Sequence, residues 1–392
     1  MLTELRSFFR LIWEIIIKMI PAYQLARRKS AEEYRRIALT EYEDNNIFTA
    51  IYYYKKAIEL EPNEALYYID LAQIYYQQYE YRQAIECFEN AVLCDKSNLR
   101  ALKGLGFSHQ LVGNIQEAMY AYLRYLDIDE RDIDVLLNTG LLLYRLGKYS
   151  ESIEYYQKAK EINPDFTSIY YNIAISYYYD GDYESSITEL RSALEIDPTY
   201  ADALILMGLA CEAIGDIETA TVSYQQAVES NPDNADARVN LSRLQSEVGK
   251  HKEALTNVKQ ALKIYTELED KPNMAIAHGN AGWYYYCLGE IDKSIKSSKA
   301  ALEIDPHLPI ERFNLALALL HKGEQDEALN NYQEGIKRLS NLSDLKYQAI
   351  DDLEAALERN PKLPGGSKIL QFLSDIYNKK YETRIESHAK KA

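Results

Sequence analysis

The sequence is poor in the features that announce chemistry. Its 392 residues include four cysteines, Cys87, Cys94, Cys211 and Cys287, and no two form a C-x-x-C pair. Small buried residues in a reducing, cytoplasmic compartment are therefore expected, rather than a metal cage. The six histidines, His109, His251, His278, His307, His321 and His388, have no ligand spacing between neighbours. There is no H-E-x-x-H, no G-x-S-x-G and no glycine-rich phosphate loop. No cofactor and no enzymatic activity are expected. Basic residues are outnumbered, 44 Lys and Arg against 60 Asp and Glu, for a net charge of -16. A chain of that sign lacks the cationic face that neutralises phosphates, so nucleic acid is not an expected partner. Phenylalanine is scarce, 8 residues against 35 tyrosines. Most of the tyrosines fall at packing positions with a hydroxyl able to reach the rim.

What is present is a repeat. In Thr167 to Pro198 two apolar-periodic segments meet at Asp180, Gly181 and Asp182, and the second closes at Asp197-Pro198. That pattern predicts a helical hairpin. It returns about every 34 residues, with starts at Ala31, Ala65, Leu99, Ile133, Thr167, Ala201, Ala235, Ala275 and Pro309. Counted from each start, position 8 is always Gly, Ala or Ser, as in Gly106, Gly140 and Ala174, and position 20 is Ala or Ser. Helices cross closely only where side chains are small, so these columns stay small while positions 4, 7, 11 and 24 stay bulky.

The period and its small columns resemble the tetratricopeptide repeat. The resemblance implies an all-α, right-handed superhelical solenoid of about nine repeats, in which stacking neighbours replaces a single large core. The expected layout is a terminal segment 1–30, repeats over 31–340, a C-terminal half-repeat and capping helix over 341–378, and a basic tail 379–392. Between Ala261 and Ala275 the text lengthens, and the second helix of the seventh repeat is expected to absorb about six extra residues. The last helix is expected over Ser367 to about Tyr377, with a frayed tail beyond Lys379.

The most apolar run is Phe8 to Ile20, with Arg10, Glu14 and Lys18 on one stripe. It is shorter and more charged than the roughly 20 apolar residues a bilayer span needs. Three roles stay open for Phe8, Phe9, Leu11, Ile12, Trp13 and Ile16: a cap on the first repeat, a helix in a membrane interface, or a docking helix for a partner. The second and third make peripheral membrane contact, or self-association within a larger membrane-associated assembly, an alternative to a freely diffusing scaffold.

In the family that the chain resembles, first helices line the concave surface. Position 6 there reads Asn138, Asn172, Leu206, Asn240, Asn280 and Asn314 in the fourth to ninth repeats. The resemblance implies that such amides grip the backbone of a bound polypeptide, because an amide offers both donors and an acceptor. Around them, Phe107, Tyr144, Tyr171, Ile175, Tyr178, Leu209, Arg243, Trp283, Tyr286 and Phe313 are expected on the inner face, with Trp283 as anchor. Chaperone-binding members hold a terminal carboxylate with Lys and Asn at positions 5 and 9. Here those positions are Arg35 and Leu39, Ile69 and Gln73, and Lys103 and Phe107, an incomplete set. The expectation is a non-catalytic scaffold that binds a protein segment.

Overall fold

The computed structural model describes residues 30–389, and every regular element among them is helical. Two compact units divide the chain, one ending at Asp182 and the other beginning at Tyr183. The first holds α1 (residues 30–43), α2 (Ile47–Leu60), α3 (Ala65–Gln77), α4 (Tyr81–Cys94), α5 (Leu99–Leu111), α6 (Ile115–Leu126), α7 (Ile133–Arg145), α8 (Tyr149–Ile162) and α9 (Thr167–Asp180). The second holds α10 (Tyr183–Ile196), α11 (Ala201–Ala213), α12 (Ile217–Ser230), α13 (Ala235–Glu247), α14 (His251–Glu267), α15 (Lys271–Cys287), α16 (Ile291–Ile304), α17 (Pro309–Lys322) and α18 (Gln325–Arg338). It closes with α19 (Leu342–Leu345), a π-helical turn Lys346–Ile350, α20 (Asp351–Arg359) and α21 (Gly366–Ala389). The segment Phe8 to Ile20 lies outside the described residues.

Local chemistry sets the helix ends. Asn98, Asp132 and Asn234 cap α5, α7 and α13 by accepting the backbone N–H three residues on, at 3.1, 3.1 and 2.9 Å. Within a hairpin the turn needs one left-handed residue, supplied for instance by Gly147 at φ 74°. The same turn in the second repeat uses Tyr79 at φ 61°, an exposed residue whose Cβ is strained there. Tyr79→Gly should therefore stabilise the first unit by about 1 kcal/mol, seen as a higher urea midpoint. A lower midpoint would mean that the ring contact with Tyr81, 6.2 Å between centroids, outweighs the strain.

The cores follow the repeat columns. Ala50, Ala84, Ala118 and Ser152 at position 20 are wholly buried, and the large buried side chains at position 24 include Tyr54, Phe88, Tyr122 and Tyr156. Position 8 is small for a specific reason: a Cβ on Gly106 would sit 2.3 Å from the Tyr122 ring, and one on Gly140 2.6 Å from Tyr156. Each buried ring removes roughly 150–250 Å² from water, several kcal/mol at ~25 cal/mol per Å².

Three expectations need correction. The extra residues after Ala261 do not lengthen one helix. Both α14 and α15 have 17 residues, against 14 in α12 and 13 in α13. Asp270 starts α15 early by accepting from Asn273 N–H at 3.2 Å, with Pro272 in the first turn, so a new N-terminus forms where helix extension alone was expected. Nor does the last helix stop near Tyr377, since α21 runs to Ala389. Finally, Cys87 and Cys94 on α4 are half-buried, not enclosed, while burial still pushes the Cys87 thiol up to about 12.

Candidate interaction surface

In the first unit the first helices of neighbouring repeats touch, α3 with α5 and α7 with α9. Between α3, α4 and α5 they leave a pocket of about 350 Å³, lined among others by Ile69, Gln73, Tyr76, Lys103 and Phe107. Its floor exists because of Gly104. That residue holds position 6, the column occupied by asparagine in five of the nine repeats, and an added Cβ would lie 2.3 Å from the Phe88 ring. Positions 5 and 9 of two consecutive repeats thus converge on one apolar hollow.

The rim cations are already partnered. Asp70 accepts from Arg35 at 2.8 Å and lies 3.6 Å from Arg100. Lys103 bridges Asp132 and Asp134 at 2.9 and 2.8 Å, which also ties α5 to α7. Burial alone would lower the Lys103 pKa, but hydrogen bonds to Asp134 and Asp132 outweigh it and the net shift is upward. Lys103 therefore stays charged and held, and the pocket selects more by shape than by net charge.

The asparagine column is not uniform. Asn138 is spent within the chain: Nδ2 donates to the Asp134 carbonyl at 2.7 Å and Oδ1 accepts from Gln110 Nε2 at 2.8 Å. Asn172 is half-buried beside Tyr171 on α9, and Tyr178 packs edge-on against Tyr179 at 5.5 Å. Nearby, Tyr144, Tyr149 and Tyr179 form a three-ring cluster with centroids 5.7 to 6.0 Å apart.

In the second unit Asn240 and Asn280 are half-buried, whereas Leu206 is a core residue at 5 % exposure. Arg243 pairs with Glu212 of α11 and, at 3.0 Å, with Glu247 of its own helix. Although burial opposes it, the hydrogen bond to Glu212 raises the guanidinium pKa further, and Arg243 acts first as a tie between repeats. Trp283 is half-buried and stacks on Tyr286 at 5.4 Å and 23°, and Tyr286 meets His321 edge-on at 5.2 Å. Phe313 and Asn314 are corrections to the expected inner face. Phe313 is 1 % exposed because its ring turns into the hairpin, stacked on Tyr332 and occupying the space over Gly335, which lacks a Cβ. Asn314, 8 % exposed, hydrogen-bonds the buried Glu311. Neither side chain is open to a partner.

Helical hairpins of fixed period, with small crossing columns and aromatic first-helix faces, define a repeat scaffold. Family models described as tetratricopeptide repeat or TPR repeat match residues 69–133, 140–181, 175–215, 201–234 and 233–307. The chain belongs to the tetratricopeptide repeat family. It is 38 % identical over 80 residues to small glutamine-rich tetratricopeptide repeat-containing protein 2 of Saccharomyces cerevisiae, covering 20 % of this chain and 23 % of that protein. To translocon at the outer membrane of chloroplasts 64 of Pisum sativum it is 33 % identical over 95 residues, covering 24 % of this chain and 16 % of that one. The chain therefore spans less than a quarter of the length of the curated relatives that it matches. Among solved structures it is similar to YrrB, described as a TPR protein with an unusual peptide-binding site, at 23 % identity and TM-score 0.44, covering 47 % of this chain and 95 % of that one. A tetratricopeptide repeat protein of Parabacteroides merdae matches at 17 % identity and TM-score 0.47, covering 64 % and 99 %. Proteins of this family are generally protein-interaction scaffolds. Among the described residues no helix is long and apolar enough to cross a membrane.

Proposed function

We propose that the protein is a non-catalytic scaffold that holds a polypeptide segment against the exposed faces of its first helices. The observation that carries this reading is the pocket between α3, α4 and α5, where an absent side chain at Gly104 and residues from two repeats build one hollow. A hollow of that size takes a single aliphatic or aromatic side chain, and rigid rings such as Tyr76 and Phe107 give contact area at small entropic cost. In the second unit Asn240, Asn280 and Trp283 supply a further contact surface. The amides of Asn240 and Asn280 hold no hydrogen bond with any described residue and are free to meet a peptide backbone.

The test is affinity capture from the native cell with two variants of the full chain. Gln73→Trp puts a ring at the pocket from an exposed position and should weaken capture roughly tenfold, as expected for loss of one anchor. Replacing Asn240 and Asn280 by Ala together, with the Trp283 packing left intact, should weaken capture strongly while thermal unfolding stays nearly unchanged. Retention of the same partner at wild-type level by both variants would overturn the reading.

A further inference from the structure

The opposite side of the first unit carries a second, unrelated feature. Position 29 lies on the second helix, or in the third repeat at its C-cap, and in eight of the nine copies it is Glu, Asp or Lys, from Glu59 to Lys337. In the second repeat it is Leu93, which is 74 % exposed. Leu93 lies on one edge of a groove of about 530 Å³ between α4 and α6, and Tyr120, 65 % exposed, lies on the other. Val92, Leu105 and His109 line it as well, and all three are buried. An apolar cleft with projecting Leu and Tyr thus opens where Leu93 interrupts a column that is otherwise charged, the pattern expected of an interaction site and not of a solvated helix face.

Charge and backbone chemistry narrow the occupant. Glu89 and Glu117 flank the groove, and Glu89 is 4.0 Å from His109 Nε2. Burial lowers the His109 pKa despite both carboxylates, so the floor is neutral near pH 7. The cation present, Arg124, is engaged: it donates to the Lys96 carbonyl at 2.7 Å and lies over the Tyr120 ring at 5.6 Å. The unengaged charge at the rim is negative. The walls are helices whose backbone hydrogen bonds are internal, so they offer no edge to an extended strand, and a strand buried there would leave its own amides unpaired. A helix satisfies its own backbone. We propose that this outer groove docks an amphipathic helix of a partner protein, with bulky apolar side chains along one face and Lys or Arg beside them.

The test uses the full chain as bait for a displayed library of helical peptides 14 residues long, the length of α4. Leu93→Glu with Tyr120→Glu serves as counter-bait. Both sites are exposed, so the unfolding midpoint of this double variant should match the wild type. Peptides enriched on the wild type should carry apolar residues three and four apart with flanking Lys or Arg, bind roughly tenfold or more weakly to the double variant, and bind Gln73→Trp unchanged. No differential enrichment, or enriched peptides without the helical spacing or the basic residues, would overturn the proposal. The chain's own apolar segment is a separate outcome. The sequence has two tryptophans, Trp13 and Trp283, so in a Trp283→Phe background emission reports Trp13 alone. A red shift of that emission on adding the Leu93 and Tyr120 changes would show that the chain fills its own groove, and the partner helix would be rejected.

Discussion

Tyr156→Val should destabilise the first unit by about 3 kcal/mol, the range for emptying a buried aromatic site, while the same change made together with Gly140→Ala should cost clearly less than the sum of the two. Tyr156 is 2 % exposed, and its ring occupies the place a Cβ on Gly140 would take, 2.6 Å away. Gly140→Ala alone therefore forces the ring aside, an overpacking cost of roughly 1–3 kcal/mol. Shrinking Tyr156 removes that clash. The second unit already uses the alternative: Ser242 and Val258 hold the same two columns, both wholly buried. Amide exchange in α7 and α8 is the appropriate measurement, because repeat arrays need not unfold in one step. A coupling of about 1 kcal/mol or more is expected, and additivity within ~0.5 kcal/mol would show that ring and glycine are not locked together.

The lock explains why so much of the fold is legible in the letters. Repeat starts placed at Ala65, Leu99, Ile133, Thr167, Ala201, Ala235 and Pro309 are the first residues of α3, α5, α7, α9, α11, α13 and α17. Each repeat must present a small residue to the next ring, so the register is fixed within one residue by packing, without a count of propensities. Where the constraint loosens, the reading slips. The residues added after Ala261 satisfied the columns on either side, and only the cap formed by Asp270 with Pro272 decided that two helices share them. At the C-terminus the columns end, and nothing in their spacing marks α21 as running to Ala389.

The interaction surface was less legible, because a column predicts which way a helix faces and not what fills the space in front of it. Gly104 reads as one more small residue, yet its missing side chain makes the pocket floor. Gly335 reads as a conservative variant of the Ala common at its column, yet it draws Phe313 inward and removes it from the inner face. Arg243 has the side chain a peptide carboxylate would seek, but two glutamates already hold it. Phe88 is 16 residues from Gly104, Phe313 is 22 from Gly335 and Glu212 is 31 from Arg243, while Glu247 holds Arg243 from within its own helix. A glycine out of keeping with its column was the available signal, since each one creates a space that some side chain or ligand must fill.

The gap beside Gly279 underlies the largest expected dependence on pH. At position 5 of its repeat Gly279 leaves a gap, and the carboxyl carbon of Glu311 lies 2.2 Å from where the Cβ would be. Glu311 is 9 % exposed, and its Oε2 has no hydrogen-bond partner. Burial raises its pKa from 4.5 to about 7, against a smaller opposing effect of the hydrogen bond from Asn314. In the unfolded chain the group loses its proton near pH 4.5, whereas the folded chain keeps it until about 7. The folded state binds more protons across that window, so stability is full below pH 4.5 and falls as pH rises through 7. A shift of that size corresponds to about 3 kcal/mol at most. Asp352, pushed up to about 6 by burial and by Asp351, adds to the slope in the same direction. Glu311→Gln keeps the shape and removes the proton, so it should leave stability at pH 5 nearly unchanged, raise it by up to about 3 kcal/mol at pH 8, and retain only the part of the slope due to Asp352. Denaturant midpoints from pH 4.5 to 8.5 for wild type, Glu311→Gln and Glu311→Gln with Asp352→Asn would separate the two groups. If all three lose stability at the same rate, the buried carboxyl is not what makes this unit sensitive to base.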